Sequence, residues 1–372
     1  MNVFEAELKS LRDQIDGLDK QLIEIVNRRA ECAKQVAEVK QREYEHALVN
    51  GRQPGEILFY RPEREAQVLR RVMDNNPGPM DDNRMASIIR EVMSACLALE
   101  QPMQVAYLGP EGTFTQAAAQ KHFGSSVISH PQVSIAQVFS QVESGAVNYG
   151  VVPVENSTEG MVSHTIDNFI QSPLRICGEV ELRIEHHLLA SDATGAKVEV
   201  ICAHQQALAQ CRQWLDAHYP SAERVAVSSN GEAAKLAAST PGMAAIAGEV
   251  AQSLYGLNRV ASNIEDLSNN TTRFLIIGRE EVAASGADKT SIIVSTRNQP
   301  GALFKLLEPF EKAGIMLTRI DTRPSRTEKW AYVFFIEFEG HQSEPHIAAV
   351  LEQLQGGSIM IKSLGSYPRA VL

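Results

Sequence analysis

Between Asn2 and about Glu43 the apolar positions Leu8, Leu11, Ile15, Leu18, Leu22, Ile25, Cys32, Val36 and Val39 recur at alternating spacings of three and four. That period belongs to one amphipathic helix of roughly forty residues, ~60 Å long at 1.5 Å per residue. A helix of that length cannot bury its stripe alone, and the chain before Pro102 supplies only two shorter partners. "RPEREAQVLRRVMDNN" carries Pro62 in a first helical turn and stops at "NNPGPM"; "DDNRMASIIREVMSACLALE" ends before Pro102. Helices so unequal predict an all-α, intertwined homodimer or a higher homo-oligomer.

Arg29 falls where the next apolar residue of the stripe is due, and Lys40 follows eleven residues later, about 20° away around the helix. Both cations are therefore expected to point inward. The alternative is that they snorkel at an interface or pair with core carboxylates. Arg12 lies about 100° off that face and must serve a different surface.

From Gln104 the rhythm changes to short apolar runs followed by helical stretches: "QVAYLG", "YGVVPV", "EVICAH", "RVAVSS", "MAAIAG". This alternation predicts α/β layers with largely parallel strands. Polar, Gly-containing loops open the helices ("GPEGTFTQAAAQ", "PVENSTEGMVSH", "SSNGEAAKLAA"), and ligands sit beyond the carboxyl ends of such strands. None is a Walker A or GxGxxG pattern, so nucleotide binding is unsupported. From Asp288 the order of elements reads βαββαβ, a ferredoxin-like unit with no evident nucleophile or acid–base pair.

Composition narrows the classes. A net charge of −10 argues against a general nucleic-acid or anionic-membrane surface, so an anionic ligand must be met by a few placed cations. No long apolar run or signal sequence is visible, and a soluble cytoplasmic protein is expected. The scattered cysteines Cys32, Cys96, Cys177, Cys202 and Cys211 are expected to be reduced thiols. Neither they nor His186, His187 and His204 have zinc spacing, so no metal and no cofactor is implied.

Taken together, "GPEGTF", "VPVENSTEG", "AHQQALAQC", "NNTTRF" and "NQPGAL" with "TRIDTRP" resemble the P-protein family, the bifunctional chorismate mutase/prephenate dehydratases of phenylalanine synthesis. The resemblance spans the chain. It implies an all-α mutase domain at 1–100, a two-lobed, periplasmic-binding-like α/β dehydratase domain at 104–280, and an α+β ACT regulatory domain at 288–372. The substrates implied are chorismate and prephenate, with phenylalanine as effector. Chorismate rearranges by a concerted shift that needs no nucleophile, only cations to hold a dicarboxylate and a donor to the breaking ether oxygen. By similarity Arg29, Lys40, Arg64 and Glu65 line that site, with Arg12 reaching in from the other subunit. Cys96 and Glu100 stand where relatives often carry serine and glutamine, and the segment 45–59 lengthens the connection before the second helix.

Prephenate dehydration expels carbon dioxide and a ring hydroxyl, whose oxygen must receive a proton or a strong hydrogen bond. In "EDLSNNTTRFLIIG" the resemblance makes Thr272 the leaving-group donor, held beside Arg273 as anchoring charge, with Asn270 and Phe274 contacting substrate. Glu155, Asn156, Ser157 and Thr158 are implied as the facing wall. Thr113, Thr115, Gln206 and Gln210 are either further substrate contacts or turn and helix-cap groups. Effector contacts are implied at Gly301, Ala302, Leu303 and a turn of Asp321, Thr322, Arg323 and Pro324. Two rivals remain: a two-lobed binding protein without catalysis, and a dehydratase whose helices only dimerise. The inward cations argue against the second.

Overall fold

The structure is a computed structural model and describes residues 3–50, 57–192, 198–296, 299–324, 332–357 and 360–372. The middle of the 45–59 segment and part of the "RNQPGAL" loop lie outside these residues. The first helix, α1 (Val3–Val49), runs past the expected end at Glu43. Pro62 sits at the first turn of α2 (Pro62–Asp74), and Asp81 caps α3 (Asp82–Glu100) by accepting from the Arg84 N–H at 3.2 Å. α1 packs on α3 and α3 on α2. Even so, Leu8, Leu11, Ile15, Leu18, Leu22 and Ile25 remain 50% to 62% exposed. A single chain therefore leaves most of the α1 stripe uncovered.

The central region forms two lobes. In the first, β1 (Gln104–Leu108), α4 (Phe114–Phe123), β2 (Ile128–Gln132), α5 (Ile135–Glu143), β3 (Tyr149–Asn156), β4 (Gly160–Met161), α6 (Ser163–Gln171) and β5 (Arg175–Arg183) are joined by a late strand, β11 (Thr271–Gly278), in the order β2-β1-β3-β11-β5. The second holds β6 (His187–Ala190), β7 (Val200–His204), α7 (Gln205–Gln210), α8 (Arg212–His218), β8 (Glu223–Val227), α9 (Asn230–Ser239), β9 (Met243–Ala247), α10 (Glu249–Tyr255) and β10 (Asn258–Ala261), ordered β10-β6-β9-β7-β8. The sheets are mixed rather than largely parallel. β1 pairs β2 and β3 in parallel, but β11 runs antiparallel to both β3 and β5. The reason is topological: the chain crosses to the second lobe after β5 and returns through β11, whose direction the return fixes.

The C-terminal region follows the expected order, β12 (Asp288–Thr296), α11 (Ala302–Lys312), β13 (Leu317–Pro324), β14 (Tyr332–Glu339), α12 (Pro345–Gly357) and β15 (Met360–Pro368), with the antiparallel sheet β13-β14-β12-β15. Asp321 to Pro324, expected as a turn, form the end of strand β13, because each pairs with a residue of β14.

Alternation along β11 decides what each face of the first lobe meets. Phe274 and Ile276 pack with Ala118, Ala119 and Phe123 of α4. Leu275 and Ile277 pack the other way, in a cluster that includes α5, α6 and Ile293, Val333, Phe335 and Leu364 of the C-terminal sheet. The helical domain docks on the α4 side. A side chain at Gly124, whose φ is +79°, would bring its Cβ to 2.5 Å from that of Ser94, so glycine lets α3 approach the end of α4. Among the described residues no helix is long and apolar enough to cross a membrane.

Candidate active sites

The helical domain gathers charge where α1 and α3 meet. Lys40 donates to the carbonyls of Leu58 and Phe59 at 2.8 and 3.3 Å, so the chain before α2 closes over it. Burial lowers its pKa, and Glu100 opposes that shift. Glu100 is in turn raised by burial, against the pull of Lys40 and Arg29. These three groups therefore feel one another, and Cys96 lies buried one helical turn before Glu100. Arg29 is itself exposed in the single chain, as are Arg12 and Arg64. Along a straight helix Arg12 stands ~42 Å from Lys40, beyond the reach of any side chain.

Glu65 departs from expectation. It is buried away from Lys40, ion-paired at 3.2 Å to Arg90, which also donates to the Lys121 carbonyl of α4 at 2.7 Å. Burial raises its pKa, opposed by Arg90 and a hydrogen bond from Tyr60. It holds Arg90, and Arg90 joins the helical domain to the first lobe. The α2 carboxylate whose charge acts on Lys40 is Glu63, two residues earlier.

Between the lobes lies an open cleft of about 1150 Å³, lined by Thr113, Thr115, His204, Gln206 and Asn230 among others. It opens at the carboxyl ends of β1 and β7, as expected for such sheets. At the neighbouring end of β3, Asn156 and Thr272 are cross-strand partners, 9% and 8% exposed. A register shift between Arg273 and Phe274 brings Asn156 to the Thr272 side of the sheet. The Asn156 amide is oriented by its surroundings. Its Oδ1 accepts from the backbone N–H groups of Thr158 and Glu159 at 3.0 and 3.2 Å, which can only donate. Its Nδ2 must therefore be the atom that donates to Thr272 Oγ1, at 2.8 Å. With Oγ1 accepting, the hydroxyl hydrogen of Thr272 is left free to be given away. Asn270, 3% exposed, sits within reach of the Ser157 and Thr158 hydroxyls at 3.3 and 3.2 Å.

Arg273 and Glu155 do not share the face of Thr272 and Asn156, which themselves sit beside the cleft and not in its lining. Successive residues of a strand face opposite ways, and Arg273 and Glu155 look toward the C-terminal sheet. Arg273 pairs with Glu337 of β14 at 2.5 Å, Glu179 of β5 at 2.9 Å and Glu155 at 3.6 Å. Burial works against its charge, but Glu337 together with Tyr367 and Glu179 more than compensates and raises its pKa. Glu155 also pairs with Arg319 of β13. Phe274, expected against substrate, is 2% exposed and belongs to the core beneath α4.

The remaining candidates divide. The Thr113 hydroxyl donates to the carbonyls of Leu108 and Pro110 at 3.1 and 3.0 Å, a turn role at the cleft wall. Thr115 is buried in the first turn of α4, and Gln206 lines the cleft. Gln210 Oε1 contacts His186 Nε2 at 2.9 Å, bracing the crossover between the lobes. In the C-terminal domain Gly301 has the left-handed φ of +80° at the start of α11, followed by Ala302 and a partly exposed Leu303. Thr296 pairs with Tyr332, which pairs with Pro324, so the Gly301 loop and the end of β13 share one end of the sheet. Thr322 and Arg323 lie on that strand end, and Asp321 pairs with Arg319 at 3.5 Å.

Sequence reading missed Arg90, Glu179, Arg319 and Glu337. A signal existed: Glu179 in "RICGEVELR" and Glu337 in "YVFFIEFE" are carboxylates inside apolar strands, and a buried charge requires a partner. Among the described residues no group of His, Cys, Asp and Glu is arranged to hold a metal.

Models of three protein families match the chain in succession: chorismate mutase type II over residues 11–101, prephenate dehydratase over 105–282, and the ACT domain over 290–356. A bifunctional chorismate mutase/prephenate dehydratase from Pseudomonas aeruginosa is 58% identical over 98% of this chain and 99% of its own length. One from Aquifex aeolicus is 40% identical over 98% and 99%. Among solved structures, a prephenate dehydratase from Arthrobacter aurescens in complex with L-Phe is 34% identical with a TM-score of 0.67, covering 72% of this chain and 90% of that one.

Proposed function

The chain belongs to the bifunctional chorismate mutase/prephenate dehydratase family, and on that premise we propose that two separate residue sets run its two reactions. Arg29, Lys40 and Glu100 serve the rearrangement of chorismate to prephenate; Asn156 and Thr272 serve its conversion to phenylpyruvate. At the first site the cations hold the two substrate carboxylates in the folded geometry, and Glu100, protonated, donates to the ether oxygen as its bond breaks. The site is completed by Arg12 of a second copy, in a homodimer that covers the exposed α1 stripe.

At the second site the bond from the ring to its carboxylate breaks and carbon dioxide leaves. The released electron pair enters the ring and expels the hydroxyl at the opposite carbon. That oxygen departs as hydroxide accepting a hydrogen bond from the Thr272 hydroxyl, whose hydrogen is available because Asn156 already occupies Oγ1, and it takes a proton from solvent to end as water, leaving Thr272 protonated. A directed hydrogen bond or proton donor of this kind typically contributes about 10²–10⁴-fold. Arg273 does not share the task as a substrate contact.

The observation that carries this reading is the fixed direction of the Asn156 to Thr272 hydrogen bond. Thr272→Val keeps volume but removes the donor, so dehydratase activity should fall by about 10²-fold or more while chorismate is still consumed at the parental rate. A folded variant that loses both activities, or neither, contradicts the assignment. Phenylalanine is the proposed effector, bound near Gly301, Ala302, Leu303 and the β13 end. The L-Phe complex of the Arthrobacter relative supports this.

A further inference from the structure

Asn156 and Thr272 form the last rung of the β3–β11 ladder, at the point where the two strands part into loops. Ladder ends open most readily unless something holds them, and productive geometry tolerates little movement: about 1 Å of misplacement can reduce a rate by about 10²-fold. The adjoining rung, Glu155 with Arg273, points the opposite way and is gripped from outside the lobe. Arg319 of β13 holds Glu155, and Glu337 of β14 holds Arg273 at 2.5 Å. Glu337 is itself tied down, its other oxygen accepting from Tyr367 at 2.9 Å and Ser291 at 3.2 Å. A second contact at the base of the same sheet, Lys289 to Glu179 at 2.8 Å, anchors the neighbouring strand.

We propose that Arg319 and Glu337, both from the ACT domain, are positioning residues for prephenate dehydration: by holding Glu155 and Arg273 they fix the strand pair whose other face presents Asn156 to Thr272. The inference rests on the reading of Thr272 as donor. Because a strand alternates, securing one rung sets the twist of the next. The ACT domain thus backs the dehydratase site from the opposite face of the sheet. Arg319 also holds Asp321 at 3.5 Å, so the effector strand and the rung adjoining the catalytic one share one side chain.

The test uses the full-length enzyme and its own mutase activity as the folding control. Arg319→Gln removes the charge from a side chain that is 19% exposed. Dehydratase kcat should fall by about tenfold or more, with KM for prephenate nearly unchanged and mutase kcat/KM at the parental value. Arg319→Lys should recover most of the loss, and Glu337→Gln should reproduce it. If both Gln variants keep parental dehydratase kcat while Thr272→Val is inactive, the inference is wrong and the Thr272 assignment stands. If the variants lose mutase and dehydratase equally, the contacts serve folding alone and the inference is also wrong. Dehydration that survives in Thr272→Val removes the premise itself.

Discussion

Replacing Glu100 by glutamine asks whether a carboxyl group can act as a hydrogen-bond donor at the ether oxygen of chorismate. A glutamate has a reference pKa of about 4.3 and would be mostly ionised near neutrality. In this structure burial raises it, while Lys40 and then Arg29 pull it back down. When chorismate binds, its two carboxylates engage those same cations and add negative charge, so the pull weakens and the pKa rises further. The protonated form is the active one, so activity is present below the pKa and lost as pH rises through it. Above the pKa the protonated fraction falls tenfold per pH unit, about 1.4 kcal/mol of transition-state stabilisation for each unit. The pKa seen in kcat, which reports the complex, should lie above that seen in kcat/KM, which reports the free enzyme. Glu100→Gln supplies a donor that does not titrate. Its mutase rate should be flat over the range where the parent declines, with dehydratase profiles the same in both. Mutase profiles that superimpose from acid to mildly alkaline pH would refute the assignment.

Two further outcomes concern the helical domain. Arg90→Met leaves Glu65 buried without its partner and should destabilise the chain by about 3–5 kcal/mol; denaturant unfolding measures this, and a loss below about 1 kcal/mol would mean that Glu65 finds water or stays protonated at little cost. Leu18→Glu together with Leu22→Glu places charge on the uncovered stripe of α1 and should abolish a dimer built on it, read by light scattering, along with mutase activity but not dehydration. A dimer that persists in that variant means another surface holds the copies together.

The long helix, the two-lobed domain and the βαββαβ order were legible because each rests on local periodicity. What sequence could not supply was the side of a strand. Thr272 and Arg273 are neighbours in "NNTTRF", and their motif reads as one site, yet a period of two sends them to opposite faces. The register shift beside Phe274 that turns Asn156 toward Thr272 depends on the pairing of strands over a hundred residues apart, which no local pattern encodes. Glu65 was misplaced for a similar reason. Its partner Arg90 lies on another helix, and only packing against α4 decides which α2 carboxylate faces Lys40. The antiparallel courses of β11 and β6, which make both sheets mixed, are set by the crossovers between the lobes and not by a local pattern.

The helical domain and the ACT domain grip the same body. Arg90 reaches Lys121, Tyr60 meets His122 at 3.2 Å, Arg319 and Glu337 hold β3 and β11, and Lys362 donates to the Phe169 carbonyl at the end of α6 at 2.8 Å. Every one of these contacts lands on the first lobe, while the second meets that lobe through the two crossovers near His186 and Ile264 and through α10, which packs on α4 with the Tyr255 hydroxyl donating to the Glu111 carbonyl at 3.4 Å. In the language of machines, the first lobe is the stator and the second the rotor. A closure of the cleft in which the second lobe moved would leave the mutase helices and the C-terminal domain in place, since both are held to the first lobe. An effector acting through Arg319 adjusts the fixed jaw rather than the swinging one. Trp214, stacked on His218 at 4.2 Å within the second lobe, rides on the rotor and gives its motion an optical signal.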